Sequence, residues 1–271
     1  MLNDNFKRDA VKGYMVGIFN WYGIPHTIEK RIKAIKKAGF DSTSMWIDED
    51  GHWEIDPDSI PHLIRDNGLF LEYAHAPYSR INALWDSGKA HDMEEELRKY
   101  IDYCSRHQIP ILVIHVTKGF RIKEANECGI GVLKTIVRYA KDKNVLIAAE
   151  NTKQNSVLET VFESIEDRTL GLCFDTSHDN LHGDPKLSLL ERYRDRVLCF
   201  HISDNDGLVD DHWIPHQGKV DWEAFVKMVP KEYKGILNLE VLPKEKGIAE
   251  ETFLHEAYAA IREIEGKIRQ I

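Results

Sequence analysis

The chain has 271 residues, of which 42% are hydrophobic and 30% are charged, and this composition is typical of a folded protein with a large core. The 45 acidic residues outnumber the 36 basic ones, giving a net charge of -9, and this balance argues against nucleic acid as a partner. No apolar run reaches the roughly 18 residues of a membrane span. Met1 to Lys12 is polar and lacks the apolar stretch of a signal peptide, so we expect a cytoplasmic protein with no membrane partner.

Short runs rich in Val, Ile, Leu and Phe alternate along the chain with longer charged segments of helical periodicity, which is the pattern of parallel strands joined by crossover helices. The predicted strands are, in chain order, Gly13 to Phe19, Asp41 to Ile47, Leu69 to His75, Ile109 to Val116, Val145 to Glu150, Leu170 to Asp175, Val197 to Ile202 and Ile236 to Val241. The predicted helices are Glu29 to Ala38, Pro57 to Arg65, Asp92 to His107, Lys123 to Lys143, Ser156 to Glu163, Pro185 to Arg194, Trp222 to Met228 and Glu250 to Gln270.

Eight strands that alternate with eight helices fit either a closed barrel or a doubly wound open sheet. The count and the chain length favour the α/β class with a single (β/α)8 TIM barrel, so we expect residues 1–271 to form one domain. The segment Trp46 to Pro57 is acidic and rich in turn residues. We expect it to form a βα loop or short hairpin on the active-site face.

The third to eighth predicted strands all end in or near a side chain that can bind a metal. These side chains are His75, His115, Glu150, Asp175 with His178, His201, and Glu240. The carboxyl ends of the strands form the catalytic face of such a barrel, and several carboxylates on one rim repel each other unless a cation compensates. The sequence therefore predicts a divalent metal, and carboxylate and imidazole ligands favour zinc, manganese or cobalt over magnesium.

The loop after the seventh strand, His201 to Trp222, adds further charged side chains beside this predicted site. Asp210 and His212 are two residues apart and can chelate together. Charged loops are usually only solvated, so these two residues are equally compatible with metal ligation, with substrate contact and with an ordinary surface loop.

From the third strand onward the sequence resembles the xylose isomerase-like barrel superfamily. This superfamily contains sugar and sugar-phosphate isomerases and epimerases, together with AP endonucleases of the endonuclease IV type. The most specific segment is D-N-D-G-x-x-D-x-H-x-x-P-x-x-G-x-V-D-W, Asp204 to Trp222. One departure is His216, which follows Pro215 where relatives usually have glycine and brings a further imidazole near the site.

In the isomerases and epimerases, the resemblance implies a single metal held by Glu150, Asp175, His201 and Glu240, with His178 in contact with the substrate. The metal would polarise a carbonyl and its neighbouring hydroxyl, while Glu150 and Glu240 exchange a proton on opposite faces of an enediolate. We expect the partner to be a small sugar or sugar phosphate, and a homo-oligomer is common in the family. The candidate substrate-binding residues are His75, His115, Trp21, Trp46 and His212.

The alternative is an AP endonuclease-like phosphodiesterase with a trinuclear zinc site. The resemblance then implies additional metal ligands at His75, His115, His178, Asp210 and His212, and it places Tyr78 where the endonucleases have a tyrosine facing nucleic acid. The acidic balance and the acidic loop after the second strand argue against it, because both repel phosphate. A sugar-sensing domain without turnover is a third hypothesis, disfavoured by the intact acid/base pair. Only Lys244 and Lys246 hint at a phosphate site.

Overall fold

A computed structural model describes residues 13–47 and 55–271 of the chain. Within these ranges eight parallel strands lie in the order β7-β6-β5-β4-β3-β2-β1-β8. The two outer strands meet through a parallel bridge between Ile202 and Leu239, where the amide of Ile202 donates to the carbonyl of Asn238 at 2.9 Å. The predicted (β/α)8 barrel is therefore confirmed.

The strands are short and lie inside the predicted runs or coincide with them. Their bounds are β1 Val16–Phe19, β2 Ser42–Trp46, β3 Tyr73–His75, β4 Ile111–His115, β5 Leu146–Glu150, β6 Leu170–Asp175, β7 Val197–His201 and β8 Leu237–Leu239. The helices are α1 Ile28–Ala38, α2 Ile60–Asp66, α3 Ala90–Arg106, α4 Glu127–Asp142, α5 Asn155–Ser164, α6 Thr176–His182, α7 Ser188–Arg192, α8 Trp222–Met228 and α9 Glu250–Ile268. Short 3-10 turns lie at Pro57–Ser59, Ile81–Trp85 and Arg194–Arg196.

One helix was missed by the sequence analysis. Helix α6 begins directly after β6, because the Asp175 carboxylate accepts a hydrogen bond from the amide of His178 at 2.6 Å and caps the helix. Aspartate is among the preferred N-cap residues, so the signal was present in the sequence. The cap turns the chain sharply at the strand end and places His178 over the barrel mouth.

The barrel interior is filled by a small apolar cluster that sits directly below the strand ends. It consists of Phe19, Tyr73, Ile111, Val113, Ala148, Cys173 and Cys199. Side chains alternate between the two faces of a strand with a period of two. Residues two positions beyond members of this cluster therefore also face the interior, and they include His75, His115, Glu150, Asp175 and His201. The predicted ligands thus form the top layer of the barrel interior.

Two predicted features lie outside the described residues. These are the polar segment Met1 to Lys12 and the part of the acidic segment after β2 that spans residues 48–54, which includes Trp53. None of the helices in the described ranges combines the length and the apolar character that a membrane span requires.

Helix α4 packs against the end of β4 through Trp85. The Trp85 indole donates to the carbonyl of Val116 at 2.8 Å, one residue beyond His115. A Cβ atom on Gly129 would lie 2.2 Å from the Trp85 ring, whereas a Cβ atom on Gly131 would have no heavy atom within 4 Å. The two glycines therefore form a matched pair within one helix.

We expect Gly129→Ala to lower the free energy of unfolding by about 1–3 kcal/mol, because the added methyl group displaces the Trp85 ring. Gly131→Ala is the control and should raise stability by up to about 1 kcal/mol, since alanine favours the helix. Urea denaturation followed by circular dichroism measures both. Equal effects of the two substitutions would contradict this packing.

Candidate metal centre and active site

The carboxylate of Glu150 lies at the centre of the strand-end cluster and is only 2% exposed. Its Oε2 atom lies 3.0 Å from Nε2 of both His75 and His115. Its Oε1 atom lies 3.1 Å from Nδ1 of His178 and 3.3 Å from Nδ1 of His201. The two oxygens of Glu150 thus face two different pairs of imidazoles.

A set of four ligand atoms converges beside Oε1 of Glu150. Glu150, Asp175, His201 and Glu240 offer atoms that all lie within 4.8 Å of one another. Nδ1 of His201 is 2.7 Å from Oε2 of Glu240 and 3.9 Å from Oδ2 of Asp175. Within the described residues this is the one set in which four such side chains converge, and it is the set that the sequence analysis assigned to the metal.

Unpartnered polar atoms test whether these residues fit a cation. Oδ2 of Asp175 and Nε2 of His201 are buried and have no hydrogen-bond partner, while Nδ1 of His201 lies 2.7 Å from Oε2 of Glu240 without the geometry of a hydrogen bond. Buried polar atoms without partners are costly and rare in folded proteins. A divalent ion coordinated by these atoms removes that cost, so the donor set fits a divalent metal.

Two further clusters border the four-ligand set. His75, His115 and Glu150 offer three converging buried ligand atoms on the Oε2 side. On the other side, Oδ2 of Asp210 lies 3.0 Å from Nε2 of His178 and 3.3 Å from Nε2 of His212. Every candidate ligand from the sequence therefore lies in one continuous network of imidazoles and carboxylates.

Cys173 lies directly below this network. Its sulfur converges with ligand atoms of Glu150 and His201 in another buried group. Burial raises the pKa of the Cys173 thiol well above its usual range, and the neighbouring Cys199 adds to the shift. A protonated thiol is a poor metal ligand, which agrees with a space-filling role for Cys173.

The charges of the network shift its pKa values strongly. Burial raises the pKa of Glu150, but the charges of His201 and His115 outweigh burial and hold the pKa well below its usual range. Burial likewise raises the pKa of Glu240, and the charge of His201 reverses this and lowers the pKa to about 2. For Asp175 burial dominates and raises the pKa to about 6, opposed by the charge of His178. Glu150 and Glu240 are therefore held as carboxylates.

Backbone carbonyl groups orient the imidazole rings. Nδ1 of His75 is 2.7 Å from the carbonyl of Ala76, and Nδ1 of His212 is 3.1 Å from the carbonyl of Glu240. A donated ring hydrogen bond of this kind fixes the tautomer and presents the other nitrogen to a ligand. In both residues the other nitrogen, Nε2, is the one that faces a carboxylate of the network.

Asn151, which the sequence analysis did not single out, fixes the position of Asp175. Its side chain accepts a hydrogen bond from the amide of Asp175 at 2.7 Å and donates to the carbonyl of Asp175 at 2.9 Å. The carbonyl of Asn151 lies 2.8 Å from Nδ1 of His178. The only sequence signal for this role was its position next to Glu150.

Aromatic rings line one side of the cluster. Trp46 stacks on His75 with ring centroids 4.9 Å apart, and Tyr78 stacks on His115 with centroids 4.2 Å apart. Trp21 is 47% exposed, and the guanidinium of Arg31 lies 5.0 Å from the centroid of its indole. Trp46 therefore contacts the cluster directly, whereas the role of Trp21 stays a prediction.

Asp204 organises the loop that carries Asp210 and His212. It is fully buried, and its carboxylate accepts hydrogen bonds at 3.0 Å from backbone amides later in the same loop and from an indole nitrogen. The donors are the amides of His216, Gly218 and Val220 and the side chain of Trp222. Sequence analysis identified Asp204 as part of a motif but did not identify this structural role.

His216 replaces the glycine that relatives usually have at this point of the loop. His216 adopts the left-handed conformation, with φ of 75°, which glycine would adopt without strain. Its imidazole contacts the Trp222 ring and lies 3.7 Å from a carboxylate oxygen of Glu263. The expectation that His216 brings another imidazole near the site is therefore wrong, because the side chain points toward α9.

The fold and the strand-end cluster together define an α/β barrel with a candidate divalent-metal centre at its mouth. The sequence matches the model of the xylose isomerase-like TIM barrel family over residues 32–257. The chain belongs to that family, as its resemblance to the superfamily implies.

Two relatives match most of the chain. The uncharacterized protein y4fM of Sinorhizobium fredii is 26% identical over 90% of this chain and 90% of its own length. An uncharacterized protein of Methanocaldococcus jannaschii, MJ1311, is 24% identical over 83% of this chain and 82% of its own.

Similar solved structures include sugar epimerases. An L-ribulose 3-epimerase aligns with a TM-score of 0.78 at 15% identity and covers 95% of this chain and 96% of its own. A D-allulose 3-epimerase from Methylomonas sp. in complex with D-allulose aligns with a TM-score of 0.75 at 17% identity, covering 93% and 97%. At these identities the likeness establishes the shared fold.

We expect Asp204→Asn to lower the free energy of unfolding by about 2–4 kcal/mol, because the amide group leaves buried N–H donors without an acceptor. Asp206→Asn is the control in the same loop. Asp206 accepts from the amides of Leu208 and Val209 on an exposed turn, so its loss should cost less than about 1 kcal/mol. Chemical denaturation compares the two, and similar losses would rule out the role of Asp204.

Zinc or manganese should raise the thermal unfolding midpoint of the wild-type chain. At a hundredfold excess over the dissociation constant, a ligand of the native state contributes about 3 kcal/mol. Glu150→Gln and Asp175→Asn should remove this response, whereas Cys173→Ser should retain it. A metal-induced shift that survives both carboxylate substitutions would place the ion elsewhere.

Proposed function

We propose that the protein is a divalent-metal-dependent sugar or sugar-phosphate isomerase or epimerase. The observation that carries this proposal is the convergence of two carboxylates, the buried Glu150 and the partly buried Glu240, on one site. Glu240 and Glu150 approach Nδ1 of the same imidazole, His201, at 2.7 and 3.3 Å. Two such groups, positioned at one reacting carbon, are what a proton transfer between opposite faces of a substrate requires.

A divalent ion held by Glu150, Asp175, His201 and Glu240 would act as a Lewis acid on the substrate carbonyl and its neighbouring hydroxyl. Zinc, manganese or cobalt suits this donor set. Glu150 and Glu240 have lowered pKa values, so both are ionised and neither must lose a proton before it can act as the base. One carboxylate would remove the proton from one face of the substrate and become protonated, and the other, after taking a proton from solvent, would return that proton to the opposite face of the enediolate.

His178 and the aromatic rings complete the proposed site. Nε2 of His178 faces Asp210, and from this position it can orient a substrate hydroxyl. Trp46 and Tyr78 lie edge to face with ring centroids 5.5 Å apart, and they would supply an apolar wall for a sugar ring. His75 and His115 contact Glu150, and His212 contacts Asp210, so all three imidazoles border the same space.

The comparisons support a ketose as the substrate class. Solved neighbours of this fold include the D-allulose 3-epimerase with bound D-allulose and a D-psicose 3-epimerase from Clostridium cellulolyticum with D-tagatose. We extend this chemistry to the present chain because its strand-end carboxylates, Glu150 and Glu240, form a candidate acid/base pair.

A zinc-dependent phosphodiesterase of the AP endonuclease kind is the second candidate. It is favoured by the assembly of His75 and His115 on Oε2 of Glu150 and of His178 and His212 on Asp210. Against it, Arg80, the basic residue two positions beyond Tyr78, is paired with Glu96 at 3.3 Å. Together with the net charge of -9, this pairing makes the sugar enzyme the better account.

The direct test is incubation of the metal-loaded protein with a panel of pentuloses, hexuloses and their phosphate esters in deuterium oxide. We expect incorporation of one deuterium at carbon in the product, because the exchanged proton equilibrates with solvent. Glu150→Gln and Glu240→Gln should each reduce the rate at least about 10³-fold. Chromatography and mass spectrometry of the sugars measure both.

Glu245→Gln is the matched control, since Glu245 is an exposed carboxylate five residues beyond Glu240, and it should retain the rate. Cleavage of abasic DNA without deuterium incorporation into any sugar would replace this proposal with the second candidate.

A further inference from the structure

A row of positive side chains lies on the rim of the barrel above β4, β5 and β6. Lys118, Lys153 and Lys186 are all exposed. Within the described residues none of the three forms an ion pair with a carboxylate, unlike Lys141 and Lys143 at the end of α4, which pair with Asp167 and Asp102. Three uncompensated ammonium groups on one side of an acidic protein mark an anion-attracting rim.

The two loops that carry Lys118 and Lys153 are tied to each other and to the candidate site. Each lysine follows a buried threonine, and the hydroxyls of Thr117 and Thr152 are 3.3 Å apart. The backbone of Lys118 is also held on both sides by Asn82, with hydrogen bonds of 2.8 and 2.9 Å. Thr117 and Thr152 lie two residues beyond the cluster members on β4 and β5, so both lysines are fixed just outside the cluster.

Lys118 lies above the aromatic wall of the site. Its ammonium group is 5.4 Å from the centroid of the Tyr78 ring, and Tyr78 stacks on His115. This cation–π contact holds the charge near the mouth without neutralising it.

His182 supplies an unused donor on the same rim. Its Nε2 atom is buried and has no hydrogen-bond partner. Its ring lies 5.9 Å from that of Phe120, and the Lys153 ammonium lies 5.5 Å from the same Phe120 ring. Phe120 is 59% exposed, so both basic groups border one exposed ring.

Helix geometry relates His182 to the reacting centre. His178 and His182 are four residues apart on α6, so they share one face of the helix with an axial separation of about 6 Å. If His178 contacts a hydroxyl near the reacting carbon, a group held at His182 lies a few bonds farther along a sugar chain. The rim and the cluster thus match the two ends of one small molecule.

We propose that the substrate of this site is an anionic sugar whose phosphate or carboxylate group, remote from the reacting carbon, is bound by Lys118, Lys153 and His182. This inference rests on the proposed function and specifies its substrate class. Lys186 adds positive potential without direct contact. This anion site differs from the one that Lys244 suggested in the sequence. Lys244 donates to the carbonyl of Gln217 and lies 3.7 Å from the centroid of the Trp213 ring.

Calorimetric titration of the full, manganese-loaded chain tests this with three ligands that differ only at C6: D-fructose, D-fructose 6-phosphate and D-fructuronate. Inorganic phosphate serves as the minimal probe. We expect at least one charged sugar to bind at least about tenfold more tightly than fructose and to be displaced by phosphate. Added potassium chloride should weaken only the charged ligands. The two charged sugars distinguish phosphate from carboxylate.

Lys118→Gln and Lys153→Gln should each weaken the charged ligand about tenfold, and His182→Gln should weaken it further than the loss of a distant charge. Lys134→Gln is the control, because Lys134 is an exposed lysine on the outer helix α4, and it should leave the affinity unchanged. Equal or undetectable binding of the charged and neutral sugars overturns the inference, as does a lysine effect no larger than that of Lys134→Gln.

Binding and turnover separate this inference from the function on which it rests. Lysine-dependent binding of a charged sugar with no turnover of any sugar leaves the anion site standing and refutes the isomerase. Turnover of neutral ketoses that is unchanged by Lys118→Gln and Lys153→Gln supports the isomerase and refutes the anion site. Lysine-dependent binding of abasic DNA, with no preference for charged sugars, overturns the sugar assignment.

Discussion

The burial of the Glu150 carboxylate is the constraint on which the rest of this site depends. A charged group removed from water is tolerated only when opposite charges or hydrogen-bond donors surround it. The chain meets this requirement with imidazoles from four different parts of the barrel, two on each carboxylate oxygen. The strand register serves the same end, because His115 pairs with Glu150 and Asp175 pairs with His201 across neighbouring strands.

The same cage is suited to hold a cation. Burial lowers the pKa of His201, but the carboxylates of Glu240 and Glu150 raise it well above its usual range. A proton on His201 therefore balances its carboxylate neighbours when no ion is bound, and a divalent ion can take over that charge by displacing it. The unpartnered atoms of Asp175 and His201 are where this exchange has the most to gain. Asp204 and Asn151 hold the surrounding backbone through hydrogen bonds to its amide and carbonyl groups.

The sequence was sufficient to predict the fold and the composition of the cluster, because both follow from strong local patterns. Strand periodicity and the carboxyl-end rule place His75, Glu150 and His201 on one interior face. The sequence could not show which atoms converge. The two carboxylate oxygens of Glu150 are chemically equivalent, and only the three-dimensional structure shows that each faces a different pair of imidazoles. It also placed the imidazole of His216 near the site, although that side chain contacts Trp222 and Glu263 instead.

The roles of Asn151 and Asp204 were hidden for a related reason. Each acts through hydrogen bonds to backbone groups, and the sequence specifies those groups at every position without indicating which are used. The rim of Lys118 and Lys153 was missed because the two lysines are 35 residues apart in the chain. Only the contact between the neighbouring threonines brings them together.

The central claim is that Glu150, Asp175, His201 and Glu240 form a divalent-metal centre of a sugar enzyme. Elemental analysis of tightly bound metal per chain, after purification without added metal and titration with zinc and manganese, tests it most directly. The account predicts about one ion per chain in the wild type and almost none in Glu150→Gln. No retained ion, or equal content in both chains, would contradict the metal centre, and about three zinc ions per chain would contradict the sugar enzyme in favour of the phosphodiesterase.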